Sequence, residues 1–389
     1  MVRVLHCPLI VGGNPQGLAR AERTLGLKSR TVSFTRGPFG YECDEVLWTD
    51  PSAVIRNQIA RCRLLWRAVR NFDVVHFNFG TPILPTSFRG VATNRKGTRG
   101  ILNEAFGAYS RLVEFKDLAL LRRLGKAIFV TYQGDDARQA DYCLANFRIN
   151  PVGEVDSGYY APGSDEKKRR DIAAFDRYAD GIYALNPDLL HVLPARARFL
   201  PYSHIDPREW RPSDRIPGTR SRPLVIHAPS HQGVKGTRHI VAAVGWLKSE
   251  GADFDFVIVE NLPNAEARKL YAEADLVVDQ LLVGWYGGLA VECMALGKPV
   301  ICYIREEDLQ VLEPEMRAQL PVIRAEPGNI YDVLKRFLTT ELYRLPGIGI
   351  SGRAYVERWH DPLRIARFLQ EEYGTALERK RKARHRYAS

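Results

Sequence analysis

One carboxylate stands inside an otherwise apolar helical pattern in the segment GWYGGLAVECMALGKPVI, residues 284–301. The amides of Gly287, Gly288 and Leu289 would point out of this helix start, where an anion is favoured. Glu292 follows one turn later, and its carboxylate can accept two vicinal hydroxyls such as those of a ribose. The alternative is a structural acid satisfied by a neighbouring side chain. Alone, the two interpretations are equally supported; together with the junctions below, ligand binding is favoured.

A second junction, APSHQGVKGT at residues 228–237, places hydroxyls and an ammonium beside a helix start. Ser230, Lys235 and Gly236 would surround one point together with Thr237. A helix start favours an anion by roughly 0.3–2 kcal/mol, and a charged hydrogen bond contributes about 1.5–3 kcal/mol. The alternative is a loop lysine that points into water. The pattern favours a diphosphate site around Lys235.

The third junction, VGGNPQG at residues 11–17, is the weakest of the three. Gly12 and Gly13 predict a tight turn, Asn14 a helix N-cap and Pro15 the first helical residue. Alone, this segment is typical of a plain strand-to-helix turn. Beside the other two junctions, Gly12 and Gly13 become candidate donor-binding residues.

Three further residues follow predicted strands and are candidates for the opposite side of a cleft. Asp135 and Asp136, in TYQGDDAR, are candidates for a general base or for binding an acceptor hydroxyl, although loop acids are more often caps or surface residues. His76, in DVVHFNFG, is a weaker acceptor-side candidate, because a lone histidine there is usually structural.

Apolar segments of strand length alternate with helical patterns, which predicts an α/β fold of two doubly wound parallel sheets. A proline-rich polar segment divides them, so we expect an N-terminal domain at 1–205, a linker at 206–223, a second domain at 224–352 and a C-terminal helix with a basic tail at 353–389. Long helices are predicted at 53–71, 101–124 and 354–380. Ligands of such folds bind at the carboxyl ends of the strands.

Composition is that of a soluble globular protein, with 45% hydrophobic and 26% charged residues among 389. The six cysteines form no CxxC pair, which predicts reduced core residues in a cytoplasmic protein without a metal site. The net charge of +11 is concentrated in RKRKARHR, from Arg379 to Arg386. This tail is either solvated or drawn to an anionic membrane at the inner face, and the two interpretations are equally supported. No basic-aromatic module indicates nucleic acid.

The order of these motifs resembles family-4-type glycosyltransferases of the GT-B fold. DVVHFNF resembles that family's DVVHAHF strand, YADGIYALNPDLL its ADAVIAVSPAL, and FLPYSHID its VIPNGVD. KGT stands at the position of the family's phosphate lysine. ADLVVDQLLVGWYGGLAVECMALGKPVI aligns with its nucleotide-sugar signature, so the resemblance covers nearly the whole chain.

The resemblance implies a nucleotide-diphosphate sugar in the C-terminal domain and an acceptor in the N-terminal one. Glu292 would bind the ribose, while Lys235, with Ser230 where the family has an arginine, would neutralise the diphosphate. The amides of residues 287–289 would act from the opposite side. Such transfer needs neither metal nor cofactor and usually retains anomeric configuration.

Two positions depart from the family pattern. Gly284 stands where the first glutamate of Glu-x7-Glu would contact the donor sugar, so Gln280 or Asp279 is the candidate substitute. Gln133 replaces an acceptor-side histidine and takes its place among the candidate residues. The C-terminal domain also lacks a strand that often contacts the base.

The leading hypothesis is a cytoplasmic glycosyltransferase, peripheral at the inner membrane face, that acts on a lipid-linked or surface-polysaccharide precursor. One alternative is transfer to a small soluble acceptor, as in natural-product glycosylation. The other is a non-catalytic GT-B protein that binds a sugar nucleotide or glycan, which the missing first glutamate supports.

Overall fold

The computed structural model describes residues 1–37, 40–47, 53–87, 98–212 and 214–388, with the backbone alone for 98–103 and 385–388. The N-terminal half forms a parallel sheet of seven strands in the order β3-β2-β1-β4-β5-β6-β7. These strands are β1 (Arg3–Pro8), β2 (Lys28–Ser33), β3 (Glu45–Val46), β4 (Val74–Asn78), β5 (Ala127–Tyr132), β6 (Gly181–Ala184) and β7 (Arg198–Phe199). The central strands are buried on both faces, which explains their nearly continuous apolar sequences.

The second half of the chain forms a parallel sheet of five strands in the order β12-β11-β10-β8-β9. Its strands are β8 (Leu224–His227), β9 (Asp255–Ile258), β10 (Leu276–Val278), β11 (Val300–Cys302) and β12 (Ile323–Arg324). Helices cover both sheets on both faces, so the predicted doubly wound α/β fold is confirmed.

Helices α1 to α6 belong to the N-terminal half: α1 (Asn14–Thr24), α2 (Val54–Asn71), α3 (Thr98–Val113), α4 (Lys116–Arg123), α5 (Ala140–Asn146) and α6 (Ser164–Tyr178). The remaining helices follow the linker: α7 (Gln232–Lys235), α8 (Thr237–Ser249), α9 (Asn264–Glu273), α10 (Gly288–Ala295), α11 (Pro314–Ala318), α12 (Ile330–Thr339), α13 (Leu345–Trp359) and α14 (Pro362–Ala388). Within the described ranges, no helix combines the length and the apolar character that crossing a bilayer requires.

Two long predicted helices are each broken in two. The helix predicted at 101–124 divides into α3 and α4 because Phe115 adopts a left-handed backbone conformation, with φ of 58°. The helix predicted at 354–380 divides between α13 and α14, where His360 and Asp361 precede Pro362. The break matters for the architecture: α13 packs on α10, whereas α14 returns to the N-terminal sheet and packs on α1.

The linker is fastened to the second half of the chain. Asp275 is fully buried and accepts hydrogen bonds from the amides of Gly218 and Leu224, both at 2.8 Å. The ammonium of Lys298 donates to the Arg215 carbonyl oxygen at 3.0 Å, and burial lowers the pKa of this lysine to about 8. The predicted reduced core cysteines are found at four positions, but Cys62 is exposed and Cys43 is half-buried.

Candidate functional site

A cleft of about 830 Å³ lies between the carboxyl ends of the two sheets. The N-terminal half contributes the β1–α1 turn at Gly12 and the β5–α5 connection from Gln133 to Arg138. The second half contributes Lys235 and residues 287–289 with Glu292. The structure therefore brings together most of the residues that the sequence selected, at the place where parallel α/β sheets bind ligands.

Lys235 is held in a fixed position at the floor of the cleft. Its ammonium lies 3.0 Å from Oδ1 of Asp279, which is fully buried at the end of β10. Oδ2 of the same carboxylate accepts the Gly287 amide at 2.5 Å. A Cβ on Gly287 would lie 2.9 Å from the Lys235 ammonium, so only glycine permits this close approach. One buried carboxylate thus joins the junction that carries Lys235 to the junction that carries Gly287.

This arrangement corrects two predictions. The Gly287 amide is engaged by Asp279, so α10 offers the amides of Gly288 and Leu289, which have no carbonyl partner in an α-helix. Asp279 is buried against Lys235 and does not take the place of the missing sugar-binding glutamate.

The sequence places two hydroxyls beside Lys235. That of Thr237 is used inside the protein, and that of Ser230 lies at the cleft. His227 is buried, and burial lowers its pKa to about 4, so the ring is neutral near pH 7. Its Nδ1 donates to the Val278 carbonyl at 2.8 Å, which leaves Nε2 to accept the Thr237 hydroxyl at 2.8 Å. That hydroxyl is therefore not free for a phosphate. Ser230 is exposed and lines the cleft.

Glu292 is buried and is satisfied from both halves of the chain. Its Oε1 accepts the hydroxyl of Tyr41 at 2.6 Å and the side-chain amide of Asn264 at 2.9 Å. Burial, followed by the Glu292 charge, raises the pKa of Tyr41 well above its ordinary value. A Cβ on Gly13 would lie 2.8 Å from the Tyr41 ring, so the glycine turn makes room for this tyrosine. Neighbouring side chains therefore do satisfy the acid, although it still lines the cleft.

His204 is a site residue that the sequence did not indicate. It is 3% exposed, lines the cleft, and makes no hydrogen bond through either ring nitrogen among the described residues. Its Nε2 lies 3.4 Å from Oε1 of Glu292 without hydrogen-bond geometry, and a Cβ on Gly288 would lie 3.5 Å from the same nitrogen. A buried imidazole without a protein partner, beside a helix start, can donate a hydrogen bond to a ligand in the cleft. No sequence period marks an isolated histidine in SHID, so only the fold reveals it.

The two acids after β5 have different environments. Asp135 lines the cleft and accepts hydrogen bonds from the Tyr159 hydroxyl and, at 3.2 Å, from Arg138. Asp136 instead accepts the amides of Gln133 and Gly134, at 3.0 and 2.8 Å, and closes its own turn. Burial raises the pKa of Asp136 to about 7. Asp135 is therefore the acid available to a ligand, and Asp136 has a structural role.

His76 does not reach the cleft, which corrects its acceptor-side prediction. It is fully buried between the N-terminal sheet and α14, where Nδ1 lies 2.7 Å from the Tyr373 hydroxyl and Nε2 lies 2.8 Å from the Thr131 hydroxyl. Burial holds its pKa well below the ordinary value. Gln133 does line the cleft, and its side-chain nitrogen has no hydrogen-bond partner in the described part of the chain.

The position of the absent first glutamate is occupied by another side chain. Gly284 has φ of 86°, and a Cβ there would lie 2.8 Å from the Arg305 guanidinium. Arg305 is buried against Asp308 at 2.9 Å and stacks over the Phe147 ring at 3.6 Å. Gln280 also lines the cleft, but its amide nitrogen donates to the Trp285 carbonyl. Arg305 therefore fills the space beside Gly284.

The similarities to known proteins are structural. No protein-family model matches the chain, and no curated protein sequence matches it. Sucrose-phosphate synthase from Thermosynechococcus elongatus is similar with a TM-score of 0.59 at 14% identity, over 96% of this chain and 99% of that chain. A glycosyltransferase from Rickettsia africae ESF-5 is similar with a TM-score of 0.54 at 14% identity, over 97% and 98%.

A third similar structure is an alpha-glucosyltransferase in complex with UDP-glucose and DNA containing an abasic site. Its TM-score is 0.54 at 9% identity, over 96% of this chain and 98% of that chain. At these identities the likeness concerns the fold, which extends over both halves. The chain has the GT-B fold, and these structural neighbours are GT-B glycosyltransferases.

Replacing Asp136 by Asn tests the structural role of this carboxyl. Its pKa is about 7 in the fold and near 3.8 when unfolded, so the fold favours the protonated form. The stability that protonated Asp136 contributes to the fold is fully present below about pH 4 and is lost as the pH rises through about 7. Because asparagine cannot ionise, the melting temperature of Asp136→Asn relative to wild type should rise from pH 4 to pH 8. A difference independent of pH would contradict this role; Asp253→Asn, at an exposed acid, is the control.

Proposed function

We propose that the chain is a glycosyltransferase that moves a sugar from a nucleotide-diphosphate donor to a lipid-linked or surface-polysaccharide precursor. The donor binds to the second half of the chain, the acceptor binds to the N-terminal half, and anomeric configuration is retained. The observation that carries the proposal is the convergence, in one cleft, of Lys235, the α10 amides and Glu292. The GT-B fold of the chain supports it.

The diphosphate would lie between Lys235 and the start of α10. One of the three protons of the lysine ammonium is used by Asp279, which leaves two for phosphate oxygens. Because the Lys235–Asp279 pair is nearly neutral, the lysine alone does not balance the charge of a leaving diphosphate. The amides of Gly288 and Leu289 and the unsatisfied nitrogens of His204 supply the remaining donors. In this proposal they take the place of a metal ion.

The acceptor hydroxyl would bind near Asp135 and Gln133. Asp135 lines the cleft and is oriented by Tyr159 and Arg138, while Gln133 offers an unsatisfied amide nitrogen. A carboxylate in this position can accept the hydroxyl proton or orient that hydroxyl toward the anomeric carbon. The peripheral cytoplasmic location remains part of this proposal.

A second candidate is a GT-B protein that binds a sugar nucleotide without transferring the sugar. The observation that favours it is Arg305, which fills the space beside Gly284 and prevents any side chain there from contacting a sugar. Incubating the chain with a panel of sugar nucleotides separates the two candidates. Transfer or hydrolysis supports the enzyme, and binding without turnover supports the second candidate.

Donor binding is tested with two variants. We expect Glu292→Gln to weaken nucleoside diphosphate binding about 10–100-fold, because a charged hydrogen bond of about 1.5–3 kcal/mol to the ribose is lost. The double variant Lys235→Met with Asp279→Asn should weaken it to a similar degree while leaving no unpaired buried charge. Calorimetry with UDP, GDP, ADP and TDP measures the affinity. Lys248→Met, at an exposed lysine on α8, is the control. Unchanged affinity in both test variants contradicts the proposal.

Tyr41 forms a hydrogen bond with the Glu292 carboxylate, which is the group proposed to bind the ribose. Its hydroxyl donates to Oε1 of Glu292 at 2.6 Å, so a ribose hydroxyl competes with Tyr41 for this oxygen. Tyr41→Phe removes the competitor, and we expect nucleoside diphosphate affinity to rise by up to about tenfold. Calorimetry beside Tyr343→Phe, an exposed tyrosine, measures the change. Weaker binding in Tyr41→Phe would show instead that the hydroxyl contacts the donor.

Loss of affinity tests His204. The groups that face its ring are Glu292, the Tyr41 hydroxyl that shares that carboxylate, and the Tyr202 ring. A ring N–H that donates to a diphosphate oxygen is removed in His204→Phe, so we expect this variant to bind UDP about tenfold more weakly than wild type in calorimetry. His191→Gln, outside this cleft, is the control and should bind UDP as wild type does. Equal affinity of His204→Phe and wild type would refute the role.

A further inference from the structure

The outward face of α2 carries exposed apolar side chains in line. Ile55 is 79% exposed, Ile59 is 48% exposed and Trp66 is 58% exposed. They are separated by four and seven residues, so they lie along one side of the helix, with the exposed Cys62 between them. The opposite side of the helix packs on the sheet through Leu64 and Ala68. This apolar row is therefore additional to the face that folding requires.

Arginines flank the row, and α2 contains no acidic residue. Arg56, Arg63 and Arg70 follow one another at intervals of seven residues, which places them along one edge of the apolar row. Within the described part of the chain they form no ion pair, and Arg70 packs over the Trp66 ring at 5.1 Å. By contrast, Arg67 turns inward and is paired with Glu45 at 2.7 Å. The exposed face is apolar along its centre and basic along its edge.

We propose that this face of α2 is a membrane-contact surface that binds a bilayer containing anionic lipids. Exposed Ile and Trp side chains would enter the interface between headgroups and acyl chains, where tryptophan is favoured. The three arginines would pair with lipid phosphates. Antiparallel two-fold pairing of this face with a second copy is disfavoured, because it would bring the arginine edges of both copies together.

The direction of α2 places this surface beside the mouth of the cleft. The helix connects β3 to β4, which belong to one parallel sheet, so it begins at the carboxyl ends of the strands. The cleft opens at the same end, and Ile55 lies in the first turn of the helix. The role of the α2 surface in delivering a lipid-linked acceptor rests on the proposed function. The binding of this surface to lipid does not.

The basic tail is the competing membrane contact that the sequence suggested. Part of it is engaged with the protein: Lys380 is paired with Asp180 at 2.8 Å, and the Arg384 guanidinium donates to the Leu124 carbonyl. The side chains of residues 385 and 386 lie outside the described residues. Helix α14 also packs on the face of the N-terminal sheet opposite to α2, as the separate clusters around Leu369 and Leu64 show. The tail and the α2 surface therefore point to different sides of the molecule.

Vesicle sedimentation with the full chain compares two matched triple variants. Arg56→Gln, Arg63→Gln and Arg70→Gln together remove three charges from α2, while Arg379→Gln, Arg381→Gln and Lys382→Gln remove three exposed charges from the tail. With vesicles of phosphatidylcholine and phosphatidylglycerol, we expect wild type to bind and the α2 variant to bind at least tenfold more weakly. The affinity of the tail variant for these vesicles should differ less than twofold from that of wild type. Wild type should bind weakly to vesicles of pure phosphatidylcholine.

A second pair of variants tests the apolar row. Trp66→Ala should weaken binding to the same vesicles at least threefold, whereas Trp246→Ala, 63% exposed on α8, should not. The proposal is overturned if the tail triple variant loses more lipid affinity than the α2 triple variant, or if wild type does not bind lipid. Concentration-dependent self-association of wild type that the α2 variant abolishes would also overturn it, in favour of a second copy. Nucleoside diphosphate affinity, measured in parallel, should be equal in all variants, so failure here is distinct from failure of the proposed donor site.

Discussion

The cleft depends on one buried carboxylate. Asp279 is fully enclosed, and its two oxygens hold the Lys235 ammonium and the Gly287 amide, from segments 44 and 8 residues away. A buried charge that loses its partner costs about 3–5 kcal/mol, so these three groups must stay together. The consequence is geometric: the end of α7 and the start of α10 face one point, and Gly287 is required because a side chain would displace the lysine. The cleft is therefore held in one arrangement on the side of the second half of the chain.

The N-terminal half completes the cleft through contacts that bridge the two sheets. Tyr41 reaches Glu292 across the cleft, while within the N-terminal half Asn14 accepts the Ser203 amide at 2.7 Å and fixes the segment that carries His204. On the far side, Arg305 reaches the Ile149 carbonyl at 3.3 Å. Because these contacts use buried polar groups from both halves, opening the cleft would expose or orphan them. The Tyr41–Glu292 and Arg305–Ile149 contacts thus hold the two halves together.

The sequence was most informative where local chemistry alone sets the structure. Apolar strands, glycine turns and the start of α10 follow from short-range pattern, and the doubly wound fold was predicted from their alternation. The sequence was least informative about partners distant in the chain. Tyr41 is 251 residues from Glu292, and Tyr373 is 297 residues from His76. The sequence therefore could not identify the hydrogen-bond partner of either the acid or the histidine. The break at Phe115 was missed because a left-handed phenylalanine is rare.

Gly284, where the resemblance to family-4-type glycosyltransferases implies a glutamate, lies against a buried ion pair. Arg305 lies against Gly284, and its charge is balanced by Asp308, which also lies 2.7 Å from His191 of the N-terminal half. A glutamate side chain at 284 would have to displace this guanidinium and separate that buried pair. The substitution is therefore coupled to how the two halves meet. Among the other groups that line the cleft, Gln133 and His204 have buried side-chain nitrogens without a hydrogen-bond partner in the described part of the chain.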